Sequence, residues 1–81
     1  MSTSATDVEQ TVIGFLTTIE KLPEAFGPST SLYAGGAGLD SLETAELSAI
    51  LEDTHGADPY SAGEMPQTLA EIQAYYAANS A

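Results

Sequence analysis

The chain has 81 residues, no cysteine, and twelve acidic residues against a single lysine, Lys21, for a formal net charge of −11. So short a chain holds one domain at most, and the missing cysteines exclude disulfides, cysteine-ligated zinc and a thiol nucleophile of its own. So acidic a surface repels phosphate backbones and anionic membranes and lacks the bases that nucleic-acid binding needs, whereas it attracts basic protein surfaces.

The opening "MSTSATDVEQ" has no basic residue and no unbroken apolar stretch, so it does not read as a signal peptide. No window approaches the apolar length needed to span a bilayer. These features predict a soluble, cytoplasmic domain. Val8, Val12, Phe15, Ile19 and Leu22 then follow a 4-3-4-3 spacing, with Ile13 and Leu16 widening the stripe, which predicts a first amphipathic helix. Thr6 and Glu9 have capping-box spacing, placing its start near residue 6, and Pro23 ends it or lies just beyond its end.

Residues 23–38, "PEAFGPSTSLYAGGAG", are rich in glycine with two prolines and predict a long loop. Phe26, Leu32 and Tyr33 are its candidate anchors in the core. A second helix is predicted from about Ser41 to Thr54, with Leu42, Ala45, Ala49 and Ile50 as its inward stripe and Leu47 and Leu51 beside it. Gly56 suits a left-handed cap after it. The turn-rich "ADPYSAGEMP" predicts a second connection holding one short helical turn around Ser61 to Glu64. A last helix starts at Thr68, with Glu71 at capping-box spacing and Leu69, Ile72, Tyr75 and Tyr76 directed inward, and the tail "AANSA" frays. No segment alternates as a strand would. The expected fold is all-α: a small antiparallel bundle of three main helices plus one short helix, with a core over about 6–78.

Few motifs in the chain carry chemistry. A nucleophile elbow reads G-x-S-x-G, whereas Leu42 follows Ser41 directly here. The only histidine, His55, lies fourteen residues on, about 21 Å along a continuous helix. The two side chains cannot meet. "GGAG" lacks the lysine of a phosphate-binding loop, and an EF-hand centred on Gly56 would need Leu51 and Ala62 as ligands. Glu52, Asp53, His55 and Asp58 are close in sequence but read as solvated charge at a helix end. No enzymatic activity is expected.

Ser41 remains. Serine is a preferred N-cap, and a helix begins here. A hydroxyl at a helix N-terminus is also well placed to carry a phosphate ester, because the free N–H groups and the dipole favour negative charge. Helix physics alone leaves both roles open.

"LDSLETAEL", residues 39–47, resembles the signature of acyl and peptidyl carrier proteins, a D-S-L core followed four residues later by E-L. The apolar first helix, the long loop with an anchoring aromatic, the acidic second helix, the short third and the apolar fourth extend the resemblance over roughly residues 6–78. It implies a discrete, monomeric, non-catalytic carrier whose Ser41 accepts 4′-phosphopantetheine from coenzyme A through a phosphopantetheinyl transferase. The terminal thiol of that arm would hold acyl or aminoacyl groups as thioesters, placing sulfur chemistry on a chain without cysteine. It further implies that Asp40 helps the transferase place its metal and that Leu42 is gripped by partner enzymes. Glu43, Glu46, Glu52 and Asp53 fall at the acidic positions of the family's recognition helix, where basic patches dock. The partners implied are the transferase, a loading ligase or acyltransferase, and downstream enzymes of polyketide, fatty-acid or nonribosomal peptide biosynthesis. "LYAGGAG" and "PQTLAEI" look closer to carriers of specialised pathways than to a housekeeping fatty-acid carrier.

The chain departs from the family pattern after the second helix. Many members carry an aromatic-Gly-apolar run, where this chain has His55-Gly56-Ala57-Asp58-Pro59, with Tyr60 and Met65 as the expected compensation. Ala45 and Ala49 replace larger residues and predict either room for a short acyl chain or a tighter bundle. The rival reading from another class is an unmodified acidic helical adaptor in which Ser41 is only a helix cap.

Overall fold

The computed structural model describes residues 4–33 and 35–79. Its three helices, α1 (Ala5–Thr18), α2 (Ser41–His55) and α3 (Leu69–Asn79), pack with α1 in contact with both others. Ser31 and Thr68 form an isolated antiparallel bridge, and no strand occurs among the described residues.

α1 starts two residues earlier than capping-box spacing at Thr6 predicts. Ser4 is the N-cap: its Oγ accepts from Asp7 N–H at 3.1 Å, and the Asp7 carboxylate accepts from Ser4 N–H. The helix also stops earlier, at Thr18 rather than at Pro23. Glu20 N–H donates to the Thr17 carbonyl and Lys21 N–H to the Leu16 carbonyl, a Schellman turn with Glu20 at φ 60. Val8, Val12, Phe15 and Leu16 are buried; Ile19 packs from beyond the helix, and Leu22 is exposed.

The long loop is ordered by its own backbone. Ala37 N–H donates to the Ser31 carbonyl and Leu39 N–H to the Leu32 carbonyl, while Leu32 N–H reaches the Gln67 carbonyl ahead of α3. Gly36 is obligatory here, because a Cβ would lie 1.8 Å from the Ser31 oxygen. Leu32 is fully buried, and Phe26 and Tyr33 pack on the core as expected.

α2 buries Leu47 and Leu51, each fully, contributing about 1.5–3 kcal/mol apiece. The predicted inward stripe is reversed. Leu42, Ala45, Ala49 and Ile50 are exposed, Leu42 by 70%. The inner face instead carries Thr44, Leu47, Ser48, Leu51 and His55, whose polar members are all bonded. Thr44 Oγ donates to the Asp40 carbonyl, Ser48 Oγ donates to Asp58, and His55 meets Thr11. Gly56, at φ 83, closes the helix as expected.

Where one short helical turn is expected near Ser61 to Glu64, residues 59–63 form a single capped turn rather than a full helix. Asp58 acts as its cap, accepting from Ser61 N–H at 3.0 Å, and Gly63 N–H to Tyr60 and Glu64 N–H to Pro59 close it. Capped at both ends within six residues, the turn has no room to lengthen. Thr68 caps α3, accepting from Glu71 N–H at 3.2 Å, and Leu69, Ile72 and Tyr76 complete the core. α3 runs through Asn79, so the expected fraying can concern only Ser80 and Ala81, outside the described residues. No helix among the described residues is long and apolar enough to cross a membrane.

Candidate functional site

The site grows out of the loop-to-helix transition at residues 38–44. Leu39 is buried and hydrogen-bonded to Leu32, which anchors the chain one residue before the helix turn. Asp40 then takes extended backbone geometry (φ −99, ψ −178) and serves as the N-cap of α2. Its Oδ1 accepts from Glu43 N–H at 2.8 Å, and Glu43 Oε1 accepts from Asp40 N–H at 3.1 Å. This is a reciprocal capping box, formed by aspartate and glutamate.

The cap therefore belongs to Asp40. Ser41 occupies the first helical position, exposed, and its hydroxyl makes no hydrogen bond within the described structure. Around it lies an open groove of about 550 Å³, lined by Tyr33, Leu39, Asp40, Ser41, Thr44, Met65 and Gln67. Its walls combine apolar side chains with hydroxyl and amide groups. Tyr33 donates to the Tyr60 hydroxyl at 3.4 Å behind it, and burial together with that contact and the charges of Asp58 and Glu71 raises the Tyr60 pKa. A larger groove of about 710 Å³ lies between the 59–66 connection and α3 and shares Met65 with the groove at Ser41; Glu64 and Glu71 line it.

The acids implicated by the sequence divide in two. Glu46, Glu52 and Asp53 are exposed on α2. Leu42, Glu46, Ala49, Ile50 and Asp53 recur at helical spacing on its outer face, an apolar strip edged with carboxylates. Glu43 is not part of that surface. Its carboxylate is engaged by the Asp40 amide and by Lys21 Nζ at 2.5 Å, with only 17% of the side chain exposed. Ala45 and Ala49 face outward, so they neither enlarge nor tighten the interior. Met65, 67% exposed, contributes to the groove beside Ser41 rather than to the core.

His55 and Asp58, grouped in sequence with Glu52 and Asp53, have separate structural roles. Thr11 Oγ lies 3.0 Å from the Asp7 carbonyl and 2.9 Å from His55 Nε2, in hydrogen-bond contact with both. The ring also meets Tyr76 edge-on at 5.4 Å, tying together α1, α2 and α3. Tyr76 in turn donates to the Ala57 carbonyl, and burial together with the Asp58 charge raises its pKa. Asp58 is 2% exposed and accepts from Ser48 Oγ at 2.7 Å as well as from Ser61 N–H. Burial pushes its pKa up, but the hydrogen bonds from Ser48 and the 60–61 backbone outweigh it and hold the carboxyl below its ordinary value. Among the described residues no three His, Asp or Glu side chains converge as a metal site would require.

Sequence reasoning missed Lys21 and the Ser48–Asp58 contact. The first had a signal, being the only base in the chain. The second was visible as Asp58-Pro59, a cap followed by the residue best suited to the first position of a helical turn.

Compared with known proteins, the chain matches no family model, no curated protein and no solved structure.

Proposed function

We propose that the protein is a discrete carrier, modified at Ser41 with 4′-phosphopantetheine, that holds acyl or aminoacyl groups as thioesters and presents them to biosynthetic enzymes. One observation carries the reading. In the D-S-L sequence the aspartate has taken the helix cap, leaving the serine hydroxyl exposed and unengaged at a helix N-terminus. Such an end favours a phosphate group electrostatically. The groove beside it, with Leu39 and Met65 on its walls, has room for a slender arm.

In the attachment reaction the Ser41 Oγ–phosphorus bond forms as the bond from that phosphorus to the bridging pyrophosphate oxygen of coenzyme A breaks. Adenosine 3′,5′-bisphosphate leaves with the electron pair, and the hydroxyl proton passes to a base on the transferase. The arm, once attached, supplies the thiol that the chain itself lacks. Asp40 combines its capping role with an exposed carboxylate whose Oδ2 makes no hydrogen bond among the described residues, which suits it to a metal ion held by the transferase.

The outer face of α2 is the proposed docking surface for the transferase, the loading enzyme and downstream polyketide, fatty-acid or peptide-forming enzymes. Leu42 and Ile50 supply apolar contact, and Glu46, Glu52 and Asp53 supply charge for basic patches. Exposed charge pairs of this kind raise on-rate more than affinity, as a shuttle that must let go requires. The chain would act as a cytoplasmic monomer and catalyse nothing itself.

The deciding experiment is intact-protein mass spectrometry after incubation with coenzyme A, magnesium and a broad-specificity phosphopantetheinyl transferase. A gain of one phosphopantetheine, absent in Ser41→Ala, is the expected result. No gain in the folded protein across several transferases would leave an unmodified acidic adaptor as the better description.

A further inference from the structure

The one lysine of the chain is engaged within the fold. Lys21 Nζ donates to the Gly38 carbonyl at 3.1 Å and to Glu43 Oε1 at 2.5 Å. Those two acceptors bracket Ser41, one on the loop before it and one in the first turn of α2. The same Glu43 oxygen accepts from Asp40 N–H, so the ammonium reaches the residue adjoining Ser41 through a single carboxylate. Lysine and glutamate side chains here are 33% and 17% exposed, which spares the pair much of the screening that weakens surface ion pairs.

The route by which Lys21 arrives is itself unusual. Glu20 adopts φ 60, a left-handed conformation that glycine accommodates and a glutamate resists. That turn ends α1 and delivers the very next residue to the start of α2. The left-handed residue stands directly before the lysine, so this turn sets where Lys21 is delivered.

We propose that Lys21 is a positioning residue for modification of Ser41. It holds the Gly38 carbonyl and the Glu43 carboxylate, and through them keeps the 38–43 backbone in the conformation that presents the serine hydroxyl. It also neutralises one of the two carboxylates flanking the place where a phosphodiester acquires its negative charge. This inference rests on the carrier reading. It adds that the modification requires a brace from the loop after α1, outside the D-S-L segment and outside the face of α2.

The test compares wild type, Lys21→Met and Lys21→Arg as substrates of the transferase, with initial rates read by intact mass at a temperature where all three are folded. Lys21→Met should lower kcat on the order of tenfold with the KM for the carrier little changed, because the misplaced hydroxyl slows transfer within the complex. Lys21→Arg should recover most of it. In the unmodified protein, hydrogen exchange at the Asp40 amide should accelerate in Lys21→Met while the Asp7 amide, in the cap of α1, stays unchanged. A Lys21→Met rate within about twofold of wild type overturns the inference and leaves the carrier reading intact. So does a rise in KM alone, the signature of a smaller folded fraction, or an unchanged Asp40 amide. If wild type itself gains no mass, the carrier reading has failed and this inference falls with it.

Discussion

Ser4 and Ser41 both stand where a helix begins, yet their hydroxyls have opposite fates. At α1 the serine is the cap, with Asp7 three residues on closing the box. At α2 aspartate is the cap, Glu43 closes the box, and the serine is displaced by one position into the first turn. One hydroxyl is engaged by the backbone and the other has no hydrogen-bond partner among the described residues. Both geometries stabilise a helix; the second also leaves a hydroxyl exposed on its end.

Loading breaks the comparison most sharply. Ser41→Ala should lose all coenzyme A-dependent mass gain, whereas Ser4→Ala should load as wild type does; equal loading of both variants would remove Ser41 from its proposed role. The next effect is on stability. Asp40→Ala removes the α2 cap and strands Glu43 N–H, and should cost about 1–2 kcal/mol in urea unfolding. Ser4→Ala should cost about 1 kcal/mol by the same mechanism, while Ser41→Ala should stay within about 0.5 kcal/mol. A cost for Ser41→Ala as large as that for Ser4→Ala would mean the hydroxyl caps after all.

Asp58 supplies a buried version of the aspartate cap and can be read through pH. Its folded pKa lies below its ordinary value, so the stabilisation it provides is present above that ordinary value and is lost as pH falls through the folded one. Thermal unfolding between about pH 5 and pH 2 should therefore show wild type losing more stability than Asp58→Asn, the difference isolating this carboxylate from the others. Parallel curves would show that the asparagine bonds Ser48 and Ser61 equally well. The smallest effect concerns the turn that delivers Lys21 to the start of α2. Glu20→Gly relieves the left-handed turn and should stabilise the fold by about 0.5 kcal/mol, the relief being partly offset by the greater freedom of glycine in the unfolded chain.

The α1 stripe was legible because its buried residues, Val8, Val12, Phe15 and Leu16, are all apolar and recur at helical spacing. α2 misled for the opposite reason. Its inner face mixes Leu47 and Leu51 with Thr44, Ser48 and His55, each polar group satisfied by a partner distant or local, while Leu42 and Ile50 stand outside. Hydrophobic periodicity assumes that burial follows polarity, and here hydrogen bonding pays for the exceptions. Ser41 stood out by motif, but its conformation did not follow from that motif. Serine and aspartate are both good caps, and spacing to Glu43 from Asp40 is what favoured the aspartate.

By itself the sequence determined the helical class, the anchors of the long loop, the left-handed end of α2 at Gly56 and the prominence of Ser41, all matters of local propensity and short-range spacing. Which face of α2 is buried, that Glu43 turns inward rather than toward partners, and that Lys21 reaches across seventeen residues to Gly38 were decided only when α1 and the loop closed over the start of α2. Those are contacts between segments far apart in the chain. No local pattern encodes them, because each depends on where the other segment comes to rest.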